Sequence, residues 1–198
     1  MIRTLPLSVR RLALWAGCLV TTAAIAQAPL RSGLPVGERP LPFTANVVTG
    51  PQRGTQHCYV CALKEEPAIV VFARTPDKPT ARLIAGLHEL VRQHAAIRLF
   101  GWVVFLGPAD DAAEAALEHE VLRYAEAHAI AGLPIAVLGD PQGPPGYLIH
   151  PEAEITVLAF RRQQVLFNRA FRKGEVTRRT TEQLWRDAIA ALTQPSAP

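Results

Sequence analysis

Ala68-Ile69-Val70-Val71-Phe72-Ala73 constrains the fold more than any other stretch, because six consecutive apolar residues leave no polar side to turn towards water. A run of that length, rich in β-branched side chains, fits a strand buried on both faces, as in a parallel sheet. Leu83, Ile84, Leu87, Leu90 and Val91 follow at helical spacing. They predict an amphipathic helix over residues 79–95, with Pro79 near its first turn. A second unit repeats the logic: Leu99 to Leu106 reads as a strand, and Asp110-Asp111 opens a helix that carries Leu117, Val121 and Leu122 towards a stop at Gly132. Pro134 to Leu138 is a third short strand, and Gly139 through Gly146, with three prolines, must be a loop. Glu154 to Phe160 and Val165 to Phe171 flank the polar Arg161-Arg162-Gln163-Gln164 and predict a hairpin. The last helix is expected to begin with Thr180 and Gln183 in capping-box spacing, turning Trp185, Ala188, Ile189 and Leu192 inward. With a short strand over Phe43 to Val48 ahead of them, these elements make an α/β sandwich.

Residues 1–26 stand outside that pattern. Arg3, Arg10 and Arg11 precede an uncharged run from Leu12 to Ala26 that ends in Ala24-Ile25-Ala26, the layout of a secretory signal peptide cleaved before Gln27. The run falls short of the roughly 20 apolar residues that span a bilayer. Arg10-Arg11 also permits a twin-arginine address, although ordinary leaders often carry paired arginines. Trp15-Ala16-Gly17-Cys18 has Trp where a lipoprotein cleavage box wants a small aliphatic residue. The chain is therefore expected to be exported, to the periplasm or the extracellular space. Residues 27–41, rich in Pro and Gly, read as a flexible lead-in, residues 42–193 as one domain and residues 194–198 as a disordered tail.

Cleavage changes the charge balance. The leader holds three of the 21 basic residues and none of the 17 acidic ones, so the formal charge falls from +4 to +1. No argument for nucleic acid or an anionic membrane surface survives that. Cys18 leaves as well, and Cys58 and Cys61 remain as an even pair in an oxidising compartment.

Cys58-Tyr59-Val60-Cys61, in a chain with an alternating β/α pattern, is the spacing of thiol-disulfide exchange. If residues 56–62 were an extended strand, the two Cα atoms would lie about 10 Å apart on opposite faces. Bridged Cα atoms lie within about 7 Å, so no disulfide could then form. If Cys58 instead opens a turn or short helix through Glu66, with Pro67 ending it, an i, i+3 pair falls on one face and a reversible bond becomes feasible. Tyr59 and Val60 favour the strand, while residues 62–66 favour the helix. The candidate catalytic residues are Cys58 and Cys61, with Cys58 expected to attack as the N-terminal member and His57 or Lys64 to lower its pKa by proximity of positive charge. A fixed or merely buried pair in a non-catalytic interaction domain is the competing reading. A third is a soft metal ion on Cys58, Cys61 and His57, although no second Cys or His pair completes such a site. Haem attachment fails because Ala62, not His, follows Cys61. Phosphate-binding glycine loops and the Gly-x-Ser-x-Gly elbow are absent, so nucleotide and serine-hydrolase chemistry have no support. No cofactor is expected, and no metal outside that third reading.

The order of elements, with Pro42-Phe43-Thr44 through Thr49-Gly50, the Pro67 to Phe72 strand, Gly139-Asp140-Pro141-Gln142-Gly143 with Tyr147, and the terminal hairpin and helix, resembles the thioredoxin fold. It is most similar to the secreted thioredoxin-like and peroxiredoxin-like members. The resemblance implies a central mixed sheet flanked by helices, thiol redox or peroxide chemistry, and a protein thiol or disulfide as partner. Two features depart from the family pattern. The strand-to-helix loop Arg74-Thr75-Pro76-Asp77-Lys78-Pro79 has no Cys where the family's thiol would lie, and the Thr75 hydroxyl cannot replace a thiolate. The family also places a cis-proline before the hairpin strand, and Pro151 is the only residue near that place. His150, just ahead of it, and Asp140 read first as loop and turn residues.

Overall fold

The computed structural model describes residues 29–194, so the expected leader lies outside the described residues. One seven-stranded mixed sheet runs through the molecule. Its strands are β1 (Ala45–Thr49), β2 (Gln56–His57), β3 (Ala68–Ala73), β4 (Phe100–Leu106), β5 (Ile135–Leu138), β6 (Ile155–Arg161) and β7 (Gln164–Phe171), in spatial order β2-β1-β5-β4-β3-β6-β7. β3, β4 and β5 are parallel, while β1 joins β5 and β6 joins β3 antiparallel. Every residue of β3 is buried, as expected of a central strand covered on both faces.

The helices are α1 (Tyr59–Leu63), α2 (Lys78–Gln93), α3 (Asp111–Ala127) and α4 (Arg178–Thr193). Alternation along β3 splits the core in two. Ile69 and Val71 point into the layer filled by Leu83, Ile84 and Leu87 of α2, Val121 of α3 and Trp185 of α4. Val70 and Phe72 face a second layer with Trp102, Tyr147, Phe160, and Tyr59 and Val60 of α1. The three long helices therefore share one face, and the other is closed by the short α1 and by irregular chain. Gly101 in β4 makes room for α2: a Cβ there would lie 2.8 Å from Val91 and 3.1 Å from Leu87.

Two local expectations shift. The capping box of α4 sits one residue before the helix, with Thr177 as the N-cap and Thr180 as its partner, rather than starting at Thr180. The hairpin turn is only two residues, Arg162 and Gln163, both at positive φ (52° and 59°), the geometry that suits the twist of paired strands. Residues 29–41, expected as a flexible lead-in, contain no helix or strand and lie along β6 and β7. Ser32 Oγ is 2.7 Å from Thr156 Oγ1 in a buried contact, Gly37 N donates to Val165 O at 2.8 Å, and Leu34 is buried. All peptide bonds among the described residues are trans, that preceding Pro151 included.

Candidate functional site

Cys58 and Cys61 form a disulfide, with their Cα atoms 5.4 Å apart. The separation follows from local structure. β2 ends at His57, Cys58 is the N-cap of α1 in extended conformation, and the helix starts at Tyr59, bringing residues 58 and 61 to one side of a single turn. The Cys61 backbone N–H donates to Cys58 Sγ at 3.2 Å. Strand-forming Tyr59 and Val60 are helical because their side chains are needed in the core. Tyr59 packs against Phe100 and Trp102, with ring centroids 5.3 and 5.6 Å away, and its hydroxyl donates to Gln52 Oε1 at 3.1 Å. Burial pushes the Tyr59 phenol up to about 12. Val60 is 2% exposed.

The two cysteines differ in surroundings. Cys58 is partly buried and packs against the apolar cluster of that face, whereas Cys61 is exposed. Helix α1 stops at Lys64, whose φ of 45° is unusual for a residue with a side chain. The stop is braced by the β6–β7 turn. Gln163 Nε2 donates to Lys64 O at 2.7 Å and Arg162 N to Glu65 O at 3.3 Å, while Arg98 pairs with Glu66 at 2.8 Å. Of the two cations expected to act on Cys58, His57 has its ring against Tyr59, with centroids 4.5 Å apart, and Lys64 is exposed at the end of α1. Among the described residues, no group of three or more His, Cys, Asp or Glu could hold a metal ion.

The disulfide lies where β3 and β4 begin: Pro67 O, just past the turn, accepts from Phe100 N at 3.0 Å. The loop where the fold family carries its thiol follows Ala73, at the other end of β3, roughly 17 Å along the strand. That end is built differently. The carboxylate of Asp77 caps α2 by accepting from Thr80 N at 2.9 Å, so it takes the helix-start position a thiol would use. Arg74 turns its guanidinium to three backbone carbonyls, donating from Nε to Ala153 O at 2.8 Å, from Nη1 to Pro141 O at 2.7 Å and from Nη2 to His150 O at 3.3 Å. It thereby ties the loop between β5 and β6 to the end of β3, beside a cavity of about 460 Å³ lined by Arg74, Asp140, Gly143, Leu148 and Pro151 among others.

The other singled-out residues serve turns. Asp140 Oδ1 accepts from Gln142 N at 2.8 Å, and His150 Nδ1 accepts from Glu152 N at 3.1 Å. Sequence reasoning missed Arg74 as a clamp. The signal was faint: a lone arginine directly after the most buried strand.

No family model matches the chain, and no curated protein matches its sequence. Solved structures do match. A candidate thiol:disulfide interchange protein DsbE from Chlorobium tepidum superposes with a TM-score of 0.58 at 17% identity, over 80% of this chain and 99% of that one. An uncharacterized conserved protein from Geobacillus kaustophilus gives 0.62 at 14% identity, over 88% and 91%. The peroxidoxin BcpB from Mycobacterium tuberculosis gives 0.54 at 15% identity, over 79% and 95%. The chain has the thioredoxin fold, with a Cys-x-x-Cys disulfide at the beginning of its central strand rather than at the end.

Proposed function

We propose that this is an exported thiol-disulfide exchange protein that acts through Cys58 and Cys61 on the thiols or disulfides of other proteins. The observation that carries the reading is an i, i+3 disulfide across a single helical turn, with one cysteine open to solvent. Sulfurs so close in sequence and space can part and rejoin with little backbone movement, which reversible exchange requires. Export rests on the leader-like residues 1–26 and agrees with an oxidised pair.

The test is to equilibrate the mature protein with glutathione buffers of set potential, quantify free thiols by alkylation, and assay insulin reduction. Reversible titration of Cys58 and Cys61 with turnover of insulin is expected. No exchange and no turnover would leave the second reading, a non-catalytic thioredoxin-fold interaction domain. The place of the pair favours that second reading, since it is far from the loop after β3 where the fold family carries its thiol. Determining the amino terminus of protein recovered outside the cytoplasm tests the leader, and a start at Gln27 is expected.

A further inference from the structure

We infer that the exchanging sulfur is Cys61, the second cysteine of the pair, and that Cys58 is the resolving one. This rests on the thiol-disulfide reading above and reverses the order expected from sequence, in which the first cysteine attacks.

Two independent observations agree. The first is access. Disulfide exchange needs a thiolate to approach the attacked sulfur in line with the S–S bond, from the side away from the leaving sulfur. Cys61 is exposed, whereas Cys58 packs against the apolar cluster that includes Tyr59, Val60 and Trp102. A protein-borne thiolate can reach the outer sulfur. The inner residue offers less room, since it is only partly exposed and packs beside Tyr59 and Val60, which are 6% and 2% exposed.

The second is what becomes of the leaving sulfur. The Cys61 N–H already donates to Cys58 Sγ at 3.2 Å. A backbone donor aimed at a sulfur stabilises negative charge developing there, so the bond favours departure of Cys58. Among the described residues, no equivalent donor to Cys61 Sγ is found.

The sequence of bonds follows. A substrate thiolate attacks Cys61 Sγ, a substrate–Cys61 disulfide forms, the Cys61–Cys58 bond breaks, and its electron pair remains on Cys58 as a thiolate. A second thiol of the same dithiol substrate, as thiolate, then attacks the substrate sulfur of the mixed disulfide and releases Cys61. The substrate is oxidised to a disulfide by two electrons, Cys58 and Cys61 are reduced to thiols, and the two substrate protons pass to them through solvent.

The experiment traps the mixed disulfide on unaltered protein. The oxidised mature protein is mixed with excess glutathione, quenched in acid within the first turnover, and the adduct located by peptide mass. Glutathione on Cys61 is expected. In parallel, the reduced Cys58→Ser and Cys61→Ser variants are reacted with 5,5′-dithiobis(2-nitrobenzoate) across a pH series and each rate is divided by its thiolate fraction, so that access alone is compared; the Cys61 thiolate of the first should react at least about tenfold faster than the Cys58 thiolate of the second. An adduct found mainly on Cys58, or the opposite order of rates, overturns the assignment while leaving exchange itself intact. No adduct on either cysteine overturns the exchange reading and this assignment with it. The wild-type trap keeps the result decisive should either serine variant fail to fold.

Discussion

The ring of Tyr59 lies against that of Phe100, centroids 5.3 Å apart, so the residue following the first cysteine belongs to the core. The turn is held by its two middle residues as well as by the bond at its ends. Reduction should therefore weaken the protein without unfolding it. A bridge across a sequence separation of 3 closes a very small loop, for which chain entropy gives about 2 kcal/mol. Removing the buried ring costs more: Tyr59→Ala is expected to lose about 3–5 kcal/mol. Urea unfolding of wild type with and without reductant, beside the variant in oxidised form, checks the order.

All three tyrosines are buried, and burial raises the phenol of each: Tyr59 to about 12, and Tyr124 and Tyr147 further still. In the unfolded chain they ionise near the ordinary value of about 10. Below that pH both states keep the protons and the tyrosines give stability no slope. Above it the unfolded state gives up protons that the folded state retains, so stability falls as pH rises from about 10 towards the folded values. Alkaline titration followed by tyrosinate absorbance and circular dichroism should show ionisation and loss of structure in one cooperative step. Early, non-cooperative ionisation of all three rings would contradict their burial.

Arg74 holds three carbonyls of the segment between β5 and β6. Arg74→Ala leaves those acceptors to water and should cost about 2 kcal/mol or more. Amide hydrogen exchange should quicken across residues 140–153, with glutathione exchange at Cys58–Cys61 unchanged, because the two sites sit at opposite ends of β3. A marked change in thiol kinetics would show that the ends are coupled.

Ser32 Oγ contacts Thr156 Oγ1 at 2.7 Å and accepts from His150 N at 2.9 Å. Ser32→Ala strips a partner from a buried hydroxyl and is expected to destabilise by about 1–3 kcal/mol. Thr156→Val in the Ser32→Ala background should then cost less than Thr156→Val alone, since one half of the pair is already gone. Denaturant melts of the two single variants and the double variant close the cycle, and simple additivity would deny the contact.

The sheet and long helices were legible because β3 and β4 are short uninterrupted apolar runs rich in β-branched and aromatic residues, while α2 carries an apolar stripe at helical spacing. The turn at Cys58 was not. Tyr59 and Val60 have strand preferences, and what makes them helical is a tertiary demand: rings at positions 100 and 102 that Tyr59 packs against. The two-residue hairpin turn was hidden for a related reason, because Arg162 and Gln163 are not the Asn and Gly that normally announce positive φ. Arg74 was opaque because its acceptors are backbone atoms 67 to 79 residues away, which no side-chain pattern records. The start of α4 was misplaced because Thr177-x-x-Thr180 and Thr180-x-x-Gln183 both have the right spacing, and only the residues that actually donate and accept distinguish them.

The segment ahead of β1 has an effect beyond its own anchoring. β7 is the outermost strand on its side, and an outermost strand offers bare amides and carbonyls to any extended chain that drifts past. Here Gly37 and Glu38 occupy both backbone groups of Val165, and the Asn168 amide is turned onto Leu34 O at 2.7 Å. A second molecule seeking to add its own strand at Val165 must first peel that covering away, so this part of the margin is guarded against self-association by the very stretch that enters the domain first.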